Sequence, residues 1–280
     1  MGKINYCIVP CAGYGTRMLP FTKVVPKELY PIGNKPIIHI ALEEIIDAQI
    51  SRVSLVINKN KELLKDYFDN KSISPFKTPI KDSQKREISN DFFELEEVRN
   101  INYIYQHQML GLGDAIYKAK QHVNGSSFAV ILPDDICFHE SDSVLSQMTE
   151  LTKNYPDKCI LAVEEINGKH IENYGVIDWS EIAGEKNVYA VKNMVEKPNY
   201  ESAPSNLAIV GRYILTPDIF DAIEKVEPDI NNEIQITNAL KILCNEDKVI
   251  ALKFQGRRFD CGNLVGAIKT VNYFHSIGRI

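Results

Sequence analysis

The stretch CIVPCAGYGTRMLPFTKVVPKELYPI, residues 7–32, sets the architecture of the chain. It begins as a short apolar run typical of a buried strand and turns into a long loop broken by glycine and proline. The loop carries Arg17, Lys23 and Lys27, although the net charge of the whole chain is −5. Ligands of open α/β sheets bind at the carboxyl ends of strands, so this cationic loop indicates a site for a polyphosphate.

Strand and helix patterns alternate after the loop. Residues 35–50, KPIIHIALEEIIDAQI, have apolar side chains at helical spacing, RVSLVI is an apolar strand, and KNKELLKDYF is a short helix. Such alternation implies right-handed crossovers. The predicted fold class is therefore α/β, with a Rossmann-like, mainly parallel mixed sheet and helices on both faces.

The texture changes from Tyr174 onward, where YGVIDW, NVYAVKNMVEKP and LAIVGRYIL are β-rich segments separated by turn residues. We expect one domain over residues 1–280, with a nucleotide-binding half at about 1–140 and a β-rich half at about 141–280. Residues 70–99 are polar and contain two prolines, which predicts a surface excursion that is partly helical near FFELEEV.

Composition limits the functional classes. Hydrophobic residues make up 44% and charged residues 25% of the 280 positions, as is typical of a globular protein. The mildly negative net charge argues against broad nucleic-acid binding. No apolar run is long enough to span a membrane, and the first residues lack a signal-peptide pattern, so we expect a cytoplasmic protein without a membrane partner.

The cysteine and histidine residues give little support to two common kinds of site. The six cysteines form no C-x-x-C pair and no histidine cluster accompanies them, so reduced, buried thiols are a better interpretation than a zinc site. The scattered histidines do not suggest a Ser/His/Asp triad.

Candidate nucleotide ligands lie in two glycine-containing segments. Gly13 and Gly15 would let backbone N–H groups approach a ligand, with Arg17 beside them and Lys27 on the same loop. The loop has neither the G-K-[S/T] ending of a P-loop nor the third glycine of G-x-G-x-x-G. Gln106, followed by GLG, offers an amide that can pair with a base edge. Ordinary turn glycines and a solvated lysine are the simpler alternatives.

Isolated acids and one charged pair complete the candidates. Asp134 in LPDD and Asp260 in DCGN both follow strands, and two such carboxylates could hold one Mg²⁺ together with phosphates. Glu196 and Lys197 in VEKP could bind sugar hydroxyls and a sugar phosphate, and Gly175 would let the backbone come close to a ligand. The alternatives are an Asx turn or helix cap for the acids and a surface ion pair for VEKP.

The ordered set of motifs resembles a known family. AGYGTRMLPFTKVVPKELYPI, GLGDAI, LPDD, YGVI, VEKP, PSNLAIVGRYIL, NNEIQITNAL and DCGN occur in the order found in bacterial UTP–glucose-1-phosphate uridylyltransferases. The first motif alone marks only the wider group of sugar-phosphate nucleotidylyltransferases. The resemblance covers nearly the whole chain except roughly residues 70–100.

The resemblance implies that UTP and glucose 1-phosphate give UDP-glucose and pyrophosphate, and that residues 141–280 bind the sugar phosphate. It implies that uracil is held by a set around the first loop and the GLG segment, with Gly15 also nucleotide-binding: Ala12, Gly13, Gln106 and Gly111. It further implies catalytic roles for Arg17, Lys27 and Lys197, sugar-phosphate contacts from Gly175, Glu196 and Lys197, and Mg²⁺ ligation by Asp134 and Asp260.

Two departures and two alternatives accompany the resemblance. Asp114 stands where many relatives have a histidine, a change that we expect to be tolerated. Some relatives continue beyond YFHSIGRI, which leaves a homodimer and a homotetramer both open. The same chemistry with dTTP or another hexose 1-phosphate is the close alternative. A non-catalytic sugar-nucleotide sensor is the distant one, and its expected mark would be the loss of Arg17, Lys27 or Asp134.

Overall fold

A computed structural model of the protein describes residues 3–69 and 101–280. Thirteen strands lie in these residues. In chain order they are β1 (Tyr6–Pro10), β2 (Pro31–Ile32), β3 (Lys35–Pro36), β4 (Arg52–Ile57), β5 (Ile101–Tyr105), β6 (Phe128–Ile131), β7 (Asp135–Phe138), β8 (Cys159–Glu165), β9 (Gly175–Glu181), β10 (Val188–Glu196), β11 (Leu207–Leu215), β12 (Val249–Lys253) and β13 (Arg257–Asp260).

The α-helices of the same residues connect or cover these strands. They are α1 (Ile37–Asp47), α2 (Glu62–Asp69), α3 (Gly111–Lys118), α4 (Val144–Leu151), α5 (Asp218–Ile223), α6 (Ile236–Cys244) and α7 (Leu264–Ser276). No helix in the described part of the chain is long and apolar enough to cross a membrane.

One nine-stranded sheet forms the centre of the molecule, in the order β5–β4–β1–β6–β11–β8–β12–β10–β9. The run from β5 to β6 is parallel throughout. Strands β10 and β11 run against the others, and β8 and β12 pair in parallel. A mixed sheet with a parallel N-terminal part and helices on its faces confirms the predicted fold class.

Both faces of the sheet are covered by apolar side chains, which alternate along each strand. In β1, Ile8 belongs to one buried cluster, and Cys7 and Val9 belong to the other. Helices α3, α5 and α6 contribute to the first cluster, and α1, α2 and α4 to the second. Every residue of β11 is buried, so this strand runs through the core between the two halves of the sheet.

Two details of the fold concern segments that carry candidate residues or pack against them. Helix α6 begins only at Ile236, so NNEIQ is not helical and is free to pack against the start of α3. After β6, the chain forms a second, short strand, β7, which pairs antiparallel with β13 in a separate two-stranded sheet. The surface excursion predicted for residues 70–99 lies outside the described residues.

Candidate active site

The loop after β1 folds into three 3₁₀ turns, Thr16–Met18, Phe21–Lys23 and Lys27–Leu29. Gly15 precedes the first turn at φ 67°, a left-handed conformation that glycine adopts without strain. Its carbonyl accepts a hydrogen bond from Thr22 Oγ1 at 2.8 Å, which folds the loop back on itself. A Cβ on Gly15 would lie 3.5 Å from Lys27 Cβ, so the glycine turn and the lysine are neighbours.

The cations of this loop face the acid that follows β6. Lys27 Nζ donates to Asp134 Oδ2 at 2.6 Å, and Arg17 Nη2 lies 4.0 Å from the same oxygen. The side chains of Lys27 and Asp134 are only 16% and 17% exposed, whereas that of Arg17 is 63% exposed. Arg17 is therefore free to swing onto a ligand, while Lys27 is fixed.

The protonation states of this pair follow from its burial and its contact. Burial works to lower the pKa of Lys27, but the charge of Asp134 outweighs it and raises that pKa above its ordinary value. Burial likewise works to raise the pKa of Asp134, but Lys27 and Arg17 hold it below its ordinary value. Both groups are therefore charged at neutral pH.

Asp134 and Asp260 lie close to each other beside Gly262. A Cβ built on Gly262 would lie 2.7 Å from Arg17 Nη2, 2.8 Å from Asp134 Oδ2 and 3.0 Å from Asp260 Oδ1. These three charged groups therefore converge on one small space that only a glycine leaves open. The backbone N–H of Gly262 also donates to Asp260 Oδ1 at 2.8 Å, which fixes the carboxylate.

The two carboxylates suit a divalent cation. Within the residues that the structure describes, no group of three or more His, Cys, Asp and Glu side chains gathers around a possible metal position. The pair Asp134 and Asp260 instead matches an ion that takes one or two carboxylates and completes its shell with phosphates and water, as Mg²⁺ does. Both carboxylates reach the position beside Gly262, where a Cβ would lie 2.8 Å from Asp134 Oδ2 and 3.0 Å from Asp260 Oδ1.

Gln106 lies at the carboxyl end of β5 and is 3% exposed. Its Nε2 donates to Gly111 O at 3.1 Å and to Asp114 Oδ2 at 2.8 Å. Gly111 has φ 88°, and a Cβ there would come within 2.9 Å of Glu233 Cβ. The close packing of the GLG segment against residues 233–234 explains why glycine stands at this position.

Asn58 connects this region to the first loop. Its Nδ2 donates to the carbonyl of Ala12 and lies 4.0 Å from Met109 Sδ. Asn58 thus brings the first loop next to the segment that follows Gln106. A Cβ at Gly13 would meet nothing within 4 Å, so protein packing does not demand this glycine and the space beside it is open.

The VEKP residues lie against β9. Glu196 pairs in register with Gly175, and a Cβ on Gly175 would meet Glu196 Oε2 at 3.3 Å and Thr237 Cγ2 at 2.9 Å. Thr237 Oγ1 donates to Glu196 Oε2 at 3.0 Å. Lys197 has φ 46°, an uncommon conformation for a side chain-bearing residue, and its Nζ lies 3.3 Å from Glu196 Oε1.

Arg258 connects Asp135, the neighbour of Asp134, with the region of the VEKP residues. Its Nη1 donates to Asp135 Oδ1 at 2.7 Å, its Nε donates to Glu164, and its guanidinium lies 4.7 Å from the centre of the Tyr174 ring. The carbonyl of Tyr174 in turn accepts from the Lys197 N–H at 3.0 Å. A continuous set of contacts therefore joins the two groups of candidate residues.

Several supporting residues were not among the sequence candidates: Asn58, Arg212, Thr237, Arg258 and Gly262. Arg212 offered the clearest signal, because a charged residue in the apolar strand LAIVGRYIL requires a buried partner. Thr237 and Gly262 lay within motifs that the resemblance used without giving them roles.

Burial raises the pKa of all six cysteine thiols, so none of them is a ready nucleophile.

A sequence model of the family described as Nucleotidyl transferase matches residues 7–274. The chain belongs to this family. It is 43% identical over 273 residues to a UTP–glucose-1-phosphate uridylyltransferase of Pseudomonas aeruginosa, covering 96% of this chain and 95% of that protein. It is 38% identical over 272 residues to UTP–glucose-1-phosphate uridylyltransferase 1 of Staphylococcus saprophyticus, covering 97% and 93%.

Solved structures agree with these relatives. A UDP-glucose pyrophosphorylase complexed with UDP-glucose superimposes with a TM-score of 0.87 at 42% identity, covering 98% of this chain and 99% of the other. A UTP-bound UGPase from Acinetobacter baumannii gives a TM-score of 0.83 at 32% identity, covering 97% and 93%.

Proposed function

We propose that this protein transfers the uridylyl group of UTP to glucose 1-phosphate, giving UDP-glucose and pyrophosphate. The relatives that match almost the full chain carry the name of this activity, and a similar structure is a complex with the product. The observation that carries the proposal is the convergence of Arg17, Asp134 and Asp260 on the space beside Gly262. A polyphosphate and a divalent cation need cationic and anionic groups at one such point.

The transfer is an in-line displacement at the α-phosphorus of UTP. A phosphate oxygen of glucose 1-phosphate forms the new bond, and the bond from the α-phosphorus to the oxygen bridging to the β-phosphate breaks. Pyrophosphate leaves with that electron pair. The attacking oxygen is already ionised, so a general base is not required, and the protein contributes alignment and charge neutralisation.

The first loop serves the nucleotide. Arg17, whose exposed guanidinium can move, pairs with the triphosphate as it binds and as the leaving pyrophosphate gains charge. Lys27 stands beside the same acid and faces the same phosphates. Ala12, Gly13 and Gly15 offer backbone groups to the nucleotide, and Gln106 and Gly111 hold its base.

The VEKP residues serve the sugar phosphate. Lys197 neutralises the phosphate of glucose 1-phosphate, since its side chain is 58% exposed and its ammonium has, among the described residues, one ion-pair contact, to Glu196 at 3.3 Å. Glu196, oriented by Thr237, accepts hydrogen bonds from sugar hydroxyls. Gly175 lets the backbone come close to this carboxylate, since a Cβ there would lie 3.3 Å from Glu196 Oε2.

Asp134 and Asp260 would hold the divalent cation of this reaction, Mg²⁺. When bound, it would offset negative charge on the phosphate oxygens at the reacting phosphorus. Lys27, held against Asp134, would place a positive charge beside the same phosphates. The lowered pKa of Asp134 keeps this carboxylate ionised at neutral pH, as a cation ligand must be.

We further propose that residues 1–280 act as one domain whose halves meet along β11, and that the chain assembles as a homodimer or a homotetramer. The buried free thiols suit a reducing compartment, which supports the cytoplasm as its location.

The reaction is tested by pyrophosphate release from purified protein with Mg²⁺ and glucose 1-phosphate, using UTP, dTTP, CTP, ATP and GTP in parallel. We expect release with UTP. An equal rate with dTTP would retain the mechanism and widen the specificity. A protein that releases pyrophosphate with none of them would refute the proposed reaction.

A further inference from the structure

The amide of Gln106 has a fixed orientation. An amide nitrogen carries two hydrogens, and both of those on Gln106 Nε2 point at acceptors, the Gly111 carbonyl and Asp114 Oδ2. Rotating the amide by half a turn would place its oxygen against these two acceptors. The contact with Asp114 is the shorter of the two, and its acceptor carries charge, so Asp114 contributes most to this preference.

The orientation leaves one polar atom of the side chain for a ligand. Gln106 Oε1 accepts no hydrogen bond from the described residues. Oε1 is not completely buried, so a ligand can reach it. An open acceptor beside the base site selects bases that present an N–H at that edge.

Uracil and cytosine differ at N3, the ring atom that would face Gln106 Oε1. Uracil carries a hydrogen on N3 and can donate it to Oε1, whereas N3 of cytosine is itself an acceptor. If two acceptors face each other in a buried site, neither makes a hydrogen bond, and this costs binding free energy. Thymine carries the same N3–H as uracil, so this contact does not separate UTP from dTTP.

We propose that Asp114 is a positioning residue that fixes the Gln106 amide with its oxygen toward the base and thereby selects uracil over cytosine. The inference rests on the proposed function, because it concerns the nucleotide of the same reaction. Asp114 itself does not need to touch the nucleotide. Lys118, whose Nζ lies 3.5 Å from Asp114 Oδ1, supports the carboxylate from the solvent side.

The test compares kcat/KM for UTP with kcat/KM for CTP in single preparations, so that the ratio does not depend on the folded fraction. The Asn side chain of Asp114→Asn can present either its N–H or its oxygen to Gln106, so it no longer favours one orientation of the amide. Only the Gly111 carbonyl then does so. We expect the UTP preference to fall about tenfold. Asp114→Leu removes the acceptor altogether and should give a similar fall.

Two further variants separate this role from a structural one. Lys118→Met removes the outer ion pair but retains the contact between Asp114 and Gln106, so the preference should remain within about twofold of wild type. In a Gln106→Leu background, Asp114→Asn should have no further effect on the preference, because Asp114 acts through that amide.

An unchanged UTP preference in both Asp114 variants would overturn the inference. So would a fall in the preference on Asp114→Asn that is as large in the Gln106→Leu background as in the wild type. Competition between UTP and CTP for the protein at equilibrium gives the same ratio without turnover. If the wild type binds UTP in preference to CTP but releases no pyrophosphate, the proposed reaction fails and the inference stands. Equal binding of the two nucleotides by the wild type would refute the inference alone.

Discussion

Arg212 Nη2 donates a hydrogen bond to the backbone carbonyl of Asp135 at 2.6 Å. Its Nη1 donates to Leu132 O at 3.1 Å, so one guanidinium holds both sides of the turn that presents Asp134. Glu44 receives Arg212 Nε and Nη2 at 3.0 and 2.7 Å and fixes the guanidinium in turn. The position of a candidate metal ligand therefore depends on a buried ion pair that faces no ligand.

Removal of Arg212 should affect stability and activity separately. Arg212→Met leaves Glu44 buried without its charged partner, with only the Leu145 N–H still donating to it among the described residues, and should lower the free energy of unfolding by about 3–5 kcal/mol. Adding Glu44→Leu should recover most of that loss, because two apolar side chains replace the pair. Activity should stay low in the double variant, since the Asp134 turn still lacks its donors. Denaturant unfolding and pyrophosphate release measure the two effects, and full activity of the double variant would contradict this account.

The two acids should be needed for turnover but not for folding. Asp134→Asn and Asp260→Asn keep the shape of each side chain and remove the negative charge that attracts a cation, so kcat should fall by at least about a hundredfold. Circular dichroism should remain unchanged. The decisive comparison is the concentration of Mg²⁺ that gives half-maximal activity. A variant with near-normal turnover would remove that residue from the metal site.

A single methyl group at Gly262 should block the site. The Cβ of Gly262→Ala would meet Asp134 Oδ2 at 2.8 Å and Arg17 Nη2 at 2.7 Å, both ends of side chains. We therefore expect a large loss of activity with a melting temperature close to that of the wild type. Gly266→Ala is the contrasting variant, because its Cβ would lie 1.7 Å from the backbone carbonyl of Asp260 and should unfold the region. Normal activity of Gly262→Ala would show that ligands bind elsewhere.

The contact between Lys27 and Asp134 should give a defined pH dependence. The lowered pKa of Asp134 means that its contribution to stability is present above its unfolded value, about 3.8, and is lost as the pH falls through the folded value. The raised pKa of Lys27 makes its contribution complete below about 10.5, and that contribution is lost as the pH rises through the folded value.

Lys27→Met tests the pH range over which the pair stabilises the protein. The variant should be less stable than the wild type near pH 7, where Asp134 would be a half-buried charge with only the distant Arg17 as its partner. The difference should shrink as the pH falls below about 3.8, because Asp134 takes up a proton first in the unfolded chain and, at lower pH, in the folded wild type. Urea unfolding from pH 3 to pH 8 gives the curves. A difference that stays constant over this range would mean that the pair contributes nothing through charge.

Lys197 should act on the sugar phosphate. Lys197→Ala removes an ammonium whose one contact among the described residues is Glu196 at 3.3 Å, so the KM for glucose 1-phosphate should rise and kcat should fall. The KM for UTP should change little. Lys192→Ala, which removes an exposed lysine five residues earlier that pairs with Asp247, is the matched control. An effect confined to UTP would assign Lys197 to the nucleotide instead.

The sequence was most informative where one local rule decided the structure. The apolar run at β1 and the helical spacing of α1 gave the parallel N-terminal sheet, because burial on both faces leaves a clear signal. Asp134 and Asp260 could be named because each follows a strand. Their convergence could not be derived from spacing, since it depends on the pairing of β7 with β13.

Residues that act through others gave a weaker signal. Nothing in the local sequence links Arg212 to Asp135 or Arg258 to Tyr174, because both contacts join segments that are distant in the chain. Asp114 differs, because Gln106 is only eight residues away, but its expected tolerance as a substitution took no account of this 2.8 Å contact. Side-chain partners across a sheet are set by strand order, which a sequence pattern leaves open.

The pairing of Asp135 with Asp260 also sets the order in which the protein can mature. A ribosome exposes β1, β4 and β6 early, and these parallel strands can associate while synthesis continues. The site cannot close until β13 emerges and reaches back to β7, a loop closure over more than a hundred residues. The two candidate acids therefore come together only after β13 has been synthesised and has paired with β7, whereas the parallel strands can associate before then.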